Sequence, residues 1–223
     1  MKLYIGEPIE HSGTPFCGAL GAFVTAPNTD QVGLISAAHV IANQKARRGD
    51  TLTVDVNTNT GLIKRAVARL DRRAFNNHCD AAIAWLEPGI QPYFQVPHLN
   101  TEFTAVRDPK VGDILTKIGG RSGLRRGRVT AIGDYPTRYD GEIKNVRAMY
   151  LEPLYETDEH KVLSENGDCG SVWFDANTGA AVGLHFAGES FSAYGPLHAK
   201  ACFLSTTLDQ LQVSLCTAQC VEA

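Results

Sequence analysis

The chain has 223 residues, 43% of them hydrophobic, and a formal net charge of −3. That is enough apolar material to bury a sizeable core. The mild acidity excludes a global pull toward nucleic acid or a membrane surface, and no apolar run approaches the ~20 residues that span a bilayer.

Gly and Pro punctuate many short apolar runs, the pattern of a barrel or sandwich. In chain order, strands are expected over 18–25, 32–37, 52–56, 62–70 and 81–86. A stretch rich in Pro, Asn and Gln, 88–109, leads to a second set over 114–118, 125–133, 146–153, 171–174, 180–186 and 201–204. Asn177-Thr178-Gly179 supplies a hairpin turn between two of these. Thr206 is expected to cap a C-terminal helix from Thr207 to about Leu215, with Leu208, Leu211 and Leu215 on one face. Periodicity alone says all-β.

Three segments carry chemistry. Ser36-Ala37-Ala38-His39 follows the apolar run Val32 to Ile35, and its small residues let a turn bearing His39 pack close to the sheet. Asp80 opens the apolar run Ala81 to Leu86, where a carboxylate is desolvated enough to hold an imidazole tautomer. Gly167-Asp168-Cys169-Gly170-Ser171 places a thiol between two glycines. Those glycines allow a tight turn that presents the amides of Gly167 and Cys169 to one side, as an oxyanion requires. Asp168 is expected to hold that turn from behind. Asp71 or Asp55 could stand in for Asp80 as the acid.

His39, Asp80 and Cys169, in that order, resemble the triad of a chymotrypsin-fold peptidase, and the likeness runs over nearly the whole chain. Asp80-Ala81-Ala82-Ile83-Ala84, Val111-Gly112-Asp113 through Lys117, Gly119 to Leu124 and Gly127-Arg128-Val129 are similar to the bacterial trypsin-like branch. Cys169 and Gly183-Leu184-His185-Phe186-Ala187-Gly188 are similar to picornavirus-type cysteine proteases. The resemblance implies two six-stranded antiparallel β-barrels with a short C-terminal helix. Residues 1–100 would form the barrel with His39 and Asp80, and 101–223 the barrel with Cys169, plus the helix. It implies a peptide or protein substrate, with no metal and no cofactor. Two other readings stay open: a serine peptidase whose serine is replaced by Cys169, and a non-catalytic peptide-binding module of the same fold.

The resemblance also implies a specificity pocket. Ser164 and His185 would hydrogen-bond the side-chain oxygen of Gln or Glu, with Leu163 and Gly188 beside them. Leu163 stands where a trypsin keeps its acid, so a basic preference is not expected. Lys117, Arg121, Arg125, Arg126 and Arg128 read as a solvated basic hairpin, and RNA binding is not expected from them. Glu156, Asp158, Glu159, His160 and Lys161 read as a charged loop before the nucleophile. The six cysteines carry no disulfide framework, Cys17, Cys79 and Cys202 reading as buried thiols. With no secretory signal expected in Met1 to Glu7, a reducing cytoplasm is the expected compartment.

Overall fold

The computed structural model describes all residues except 15, 28, 44, 140, 155–161, 189–197 and 221–223. The charged loop of Glu156 to Lys161 lies outside the described residues. The strands are β1 (Lys2–Tyr4), β2 (Pro8–His11), β3 (Cys17–Ala19), β4 (Ala22–Thr25), β5 (Val32–Ser36), β6 (Thr51–Thr58), β7 (Gly61–Phe75), β8 (Asp80–Leu86), β9 (Gln91–Tyr93) and β10 (Ala105–Val106). They continue as β11 (Ile114–Gly119), β12 (Gly123–Tyr139), β13 (Glu142–Pro153), β14 (Val172–Phe174), β15 (Ala180–Gly188), β16 (Ala199–Phe203) and β17 (Ser214–Leu215). Two helices, α1 (Ala38–Ile41) and α2 (Leu204–Leu211), complete the main elements.

Two curled antiparallel sheets form. In the first, β4 pairs with β5, then β8, β7, β6, β2 and β3 follow in order. β3 and β4 are two halves of one bent stretch, so this sheet closes on itself. Leu20 N–H donates to the Glu7 carbonyl at 2.9 Å and Gly21 N–H to the Ile35 carbonyl at 2.9 Å, which bridges the bend. In the second, β11, β12, β13, β16, β15 and β14 form a ring in which every neighbour is antiparallel. In the second ring every strand is paired on both sides.

Two hydrophobic cores form, and β5, β8, β14 and β15 are buried on consecutive residues, so both of their faces are covered. Leu34, Ile35, Leu52, Val54, Val67, Ile83 and Ala84 belong to the larger core, and Leu115, Val129, Met149, Leu151, Trp173 and Val182 to the smaller. The β12–β13 hairpin is longer than expected at both ends, and the Pro-rich connection contains β9 and β10. Asn177-Thr178-Gly179 does form the turn between β14 and β15, with Gly179 at φ 73°.

The C-terminal helix differs from expectation. It starts at Leu204, three residues early, and Phe203 rather than Thr206 is its N-cap residue. The buried face is Leu204, Thr207, Leu208 and Leu211. Gln212 takes a left-handed conformation and ends the helix, so Leu215 goes into β17 instead. β17 pairs with β4, carrying the chain's end back onto the first sheet. Among the described residues, no helix is long and apolar enough to cross a membrane.

Candidate active site

His39 sits on α1, directly after β5. Ala37 and Ala38 are fully buried, and Ser36 Oγ donates to the Ala19 carbonyl at 2.8 Å. These small residues let α1 lie against the barrel wall. Antiparallel pairing of β5 with β8 sets Ser36 opposite Ala82, which brings Asp80 under the histidine.

Asp80 is 1% exposed. A carboxylate so buried needs hydrogen-bond partners. His39 provides two, its backbone N–H to Oδ1 at 3.1 Å and its Nδ1 to Oδ2 at 2.6 Å. Because a carboxylate only accepts, Nδ1 carries a proton, and Nε2 is left for the hydrogen bond to the Cys169 thiol. Burial disfavours the imidazolium, but the Asp80 charge and the hydrogen bonds to Asp80 and Cys169 outweigh it. The His39 pKa is therefore raised well above the ordinary value. Asp71 instead pairs with Arg48 and Arg72, and Asp55 with Lys64, so neither is bound to His39.

The Gly167–Ser171 loop docks from the second barrel. Gly167 and Gly170 have φ of 109° and 97°, a region in which a side chain is strained. A Cβ on Gly170 would also lie 2.1 Å from Ser36 Oγ and 2.5 Å from the Ala19 carbonyl oxygen. Gly170 is thus where the loop meets the segment bearing His39. Ala19 N–H donates to the Cys169 carbonyl at 2.8 Å across the same seam.

The amides of Asp168, Gly170 and Ser171 are engaged, donating to Glu165, His185 and Asp168 carbonyls at 3.1, 2.7 and 3.0 Å. Among the described residues, the amides of Gly167 and Cys169 have no acceptor. Cys169 is half-buried, and its Sγ lies 3.4 Å from the Phe186 carbonyl.

Asp168 is fully buried and holds the loop from behind. Its carboxylate accepts the amides of Arg121, Ser122 and Glu165 at 3.0, 2.9 and 2.9 Å. It also accepts Lys117 Nζ at 2.8 Å. Burial opposes its charge, but Lys117 and these donors hold the pKa far below the usual carboxylate range. Lys117 is fully buried too, which corrects the reading of it as part of a solvated hairpin. Its Nζ is 3.0 Å from Ser122 Oγ and 5.7 Å from the Trp173 ring centroid. Burial lowers its pKa, against the pull of Asp168. Arg125 is mostly buried as well, its side chain 10% exposed, leaving Arg121, Arg126 and Arg128 on the surface.

The residues expected to form a specificity pocket come together in part. Ser164 Oγ and His185 Nε2 are 2.9 Å apart, and a Cβ on Gly188 would fall 2.3 Å from Ser164 Oγ. Leu163 departs from expectation: it is 1% exposed and packs in the smaller core with Leu115, Val129 and Leu151. Ser164 beside it is buried too, at 6% exposure. His185 is fully buried, and its Nδ1 makes no well-formed hydrogen bond. Burial, then the nearby Lys117 charge, pushes its pKa down to about 3. Its backbone pins the nucleophile loop, accepting from Gly170 and donating to Ser171 at 2.8 Å.

Two antiparallel barrels, with His39 and Asp80 from the first and Cys169 from the second, make a chymotrypsin-like fold. Its structural neighbours are bacterial chymotrypsin- and trypsin-like serine proteases. Thermobifida fusca protease A matches with a TM-score of 0.71 at 15% identity, covering 98% of this chain and 100% of that one. Cellulomonas bogoriensis chymotrypsin matches at 0.69 and 18%, covering 98% and 100%. A glutamic acid specific serine protease described as using a histidine triad in substrate binding matches at 0.69 and 18%, covering 96% and 100%. No family model and no curated protein sequence matches the chain.

Proposed function

We propose that this chain is a cysteine endopeptidase that uses Cys169, His39 and Asp80. The observation that carries the proposal is the histidine's double engagement, Nδ1 on buried Asp80 and a hydrogen bond to the Cys169 thiol. His39 Nε2 takes the thiol proton and the thiolate adds to the scissile carbonyl. The resulting oxyanion is received by the two amides without acceptors, Gly167 and Cys169. His39 then protonates the leaving amine. Water deprotonated by His39 hydrolyses the thioester and restores the thiol. Asp80 supports the imidazolium at each stage.

Ser164, His185 and Gly188 are the pocket residues of this proposal, selecting Gln or Glu before the scissile bond. The likeness in fold to a glutamic acid specific protease supports the assignment. Leu163 leaves it, because its side chain belongs to the core. All six cysteines are free, which suits a reducing compartment such as the cytoplasm.

The test is incubation with a peptide library and mass-spectrometric mapping of cleavage sites. Cleavage after Gln or Glu that disappears in Cys169→Ala supports the reading. Cleavage that survives this substitution, or none at all, overturns it.

A further inference from the structure

The C-terminal turn brings two cysteines to one threonine. Cys216 follows β17 and is anchored to the first barrel, its N–H donating to the Phe23 carbonyl at 2.9 Å. It is buried, at 2% exposure. Four residues on, Cys220 is exposed. Its N–H donates to the Thr217 carbonyl at 2.9 Å, which closes the turn.

Thr217 ties the two cysteines together. Its N–H donates to the Cys220 sulfur at 3.5 Å and its hydroxyl lies 3.7 Å from that sulfur, while the Cys216 thiol donates to the Thr217 carbonyl at 3.8 Å. A backbone N–H aimed at the Cys220 sulfur favours its thiolate. We propose that Cys220 is a peroxide-sensitive thiol and that Cys216 is its resolving partner, so that the pair closes reversibly to a disulfide.

The thiols differ as these roles require. Thr217, through its backbone N–H and then its side chain, lowers the Cys220 pKa. Burial, reinforced by Cys220, pushes Cys216 up to about 12. Burial also raises Cys79 and takes Cys202 to about 11; Cys17 is exposed rather than buried as expected, and partial desolvation, then Glu10 and Asp55, raises its pKa. An exposed thiolate beside a second thiol is the arrangement that oxidises first and resolves.

The chemistry balances with a hydroperoxide as oxidant. The Cys220 thiolate attacks the terminal peroxide oxygen, the O–O bond breaks, and the departing hydroxide or alkoxide takes a proton from solvent to become water or alcohol. Cys220 is then a sulfenic acid. The Cys216 sulfur attacks the Cys220 sulfur, the S–O bond breaks, and water leaves with the Cys216 proton. Two thiols have lost two electrons and the peroxide has gained them. A dithiol reductant restores both thiols by exchange.

The full chain carrying Cys169→Ala is treated with hydrogen peroxide, alkylated with iodoacetamide and cleaved before Asp209. The fragment 209–223 contains Cys216 and Cys220 and no other cysteine. This fragment should lose two hydrogens and resist alkylation, and dithiothreitol should reverse both changes. Cys216→Ser in the same background should instead leave a Cys220 sulfenic acid that dimedone traps. A fragment still fully alkylated after peroxide, or a Cys220-linked dimer on a non-reducing gel, overturns the proposal. Because Cys169 is absent, neither outcome depends on the peptidase reading.

Discussion

His39 and His185 both lie near the Gly167–Ser171 loop, and their pKa values are driven in opposite directions. His39 has 29% of its side chain exposed and meets a buried carboxylate at 2.6 Å. His185 is fully buried and meets a neutral hydroxyl at 2.9 Å, with the Lys117 charge nearby. The first is raised well above the ordinary imidazole value and the second falls to about 3. Burial works against the cation at both. What separates them is the partner: an anion repays the desolvation and a hydroxyl does not.

The most severe way to break the comparison is His39→Ala. Loss of the base should reduce kcat/KM by about 10³-fold or more, judged against known triads. Steady-state cleavage of a peptide found in the library measures it, and a loss below tenfold would remove His39 from the chemistry.

Asp80→Asn should cost less than the ~10⁴-fold of a serine triad, because a thiol needs less help to ionise than a hydroxyl. The same change should lower the His39 pKa, readable by NMR titration of the imidazole. An Asn variant as inactive as His39→Ala would favour the reading in which Cys169 replaces a serine.

Lys117→Met removes the cation that His185 senses and strands the Asp168 carboxylate in the interior. Breaking a buried pair in this way costs about 3–5 kcal/mol, to be measured as a shift in the denaturant midpoint. An unchanged midpoint would show that Asp168 does not depend on Lys117.

His185→Leu should abolish cleavage after Gln and Glu and leave the rate of Cys169 alkylation nearly as it was, since the pocket changes and the nucleophile does not. Alkylation must be followed at the Cys169 peptide, because Cys220 is an exposed thiol whose pKa is lowered by Thr217 and would compete for the reagent.

The smallest effect is one of pH. From sequence, an imidazole titrating near 6.5 would tilt the pocket toward Glu as pH falls. With His185 held neutral down to about 3, the Glu-to-Gln cleavage ratio should stay flat between about pH 5 and 8. The two histidines also act oppositely on stability. His39, raised on folding, stabilises fully below the unfolded value of about 6.5, and that contribution is lost as pH rises through its folded value. His185, depressed on folding, costs stability as pH falls below about 6.5 toward 3. Denaturation midpoints of His39→Ala and His185→Leu against pH would separate the slopes, and parallel slopes would refute the contrast.

The longer strands, the hairpin turn at Asn177-Thr178-Gly179 and the glycines of the Gly167–Ser171 loop were legible in the sequence, because each is a local apolar run or a demand of positive φ; the short β1, β2, β9, β10 and β17 were not. Candidate residues in their order were legible for the same reason. Their meeting was not: His39 and Asp80 are 41 positions apart, and only the β5–β8 pairing joins them. Lys117 reads by type as a surface residue, yet it shares a strand face with Leu115, which lines the smaller core. The face was written in the alternation, but the partner that makes a buried cation tolerable, Asp168, lies 51 positions on. The sequence by itself determined an all-β chain with a tight glycine-flanked turn around Cys169. The tertiary structure decided where each charge sits, because a group's protonation depends on burial and on neighbours that the chain supplies from far away.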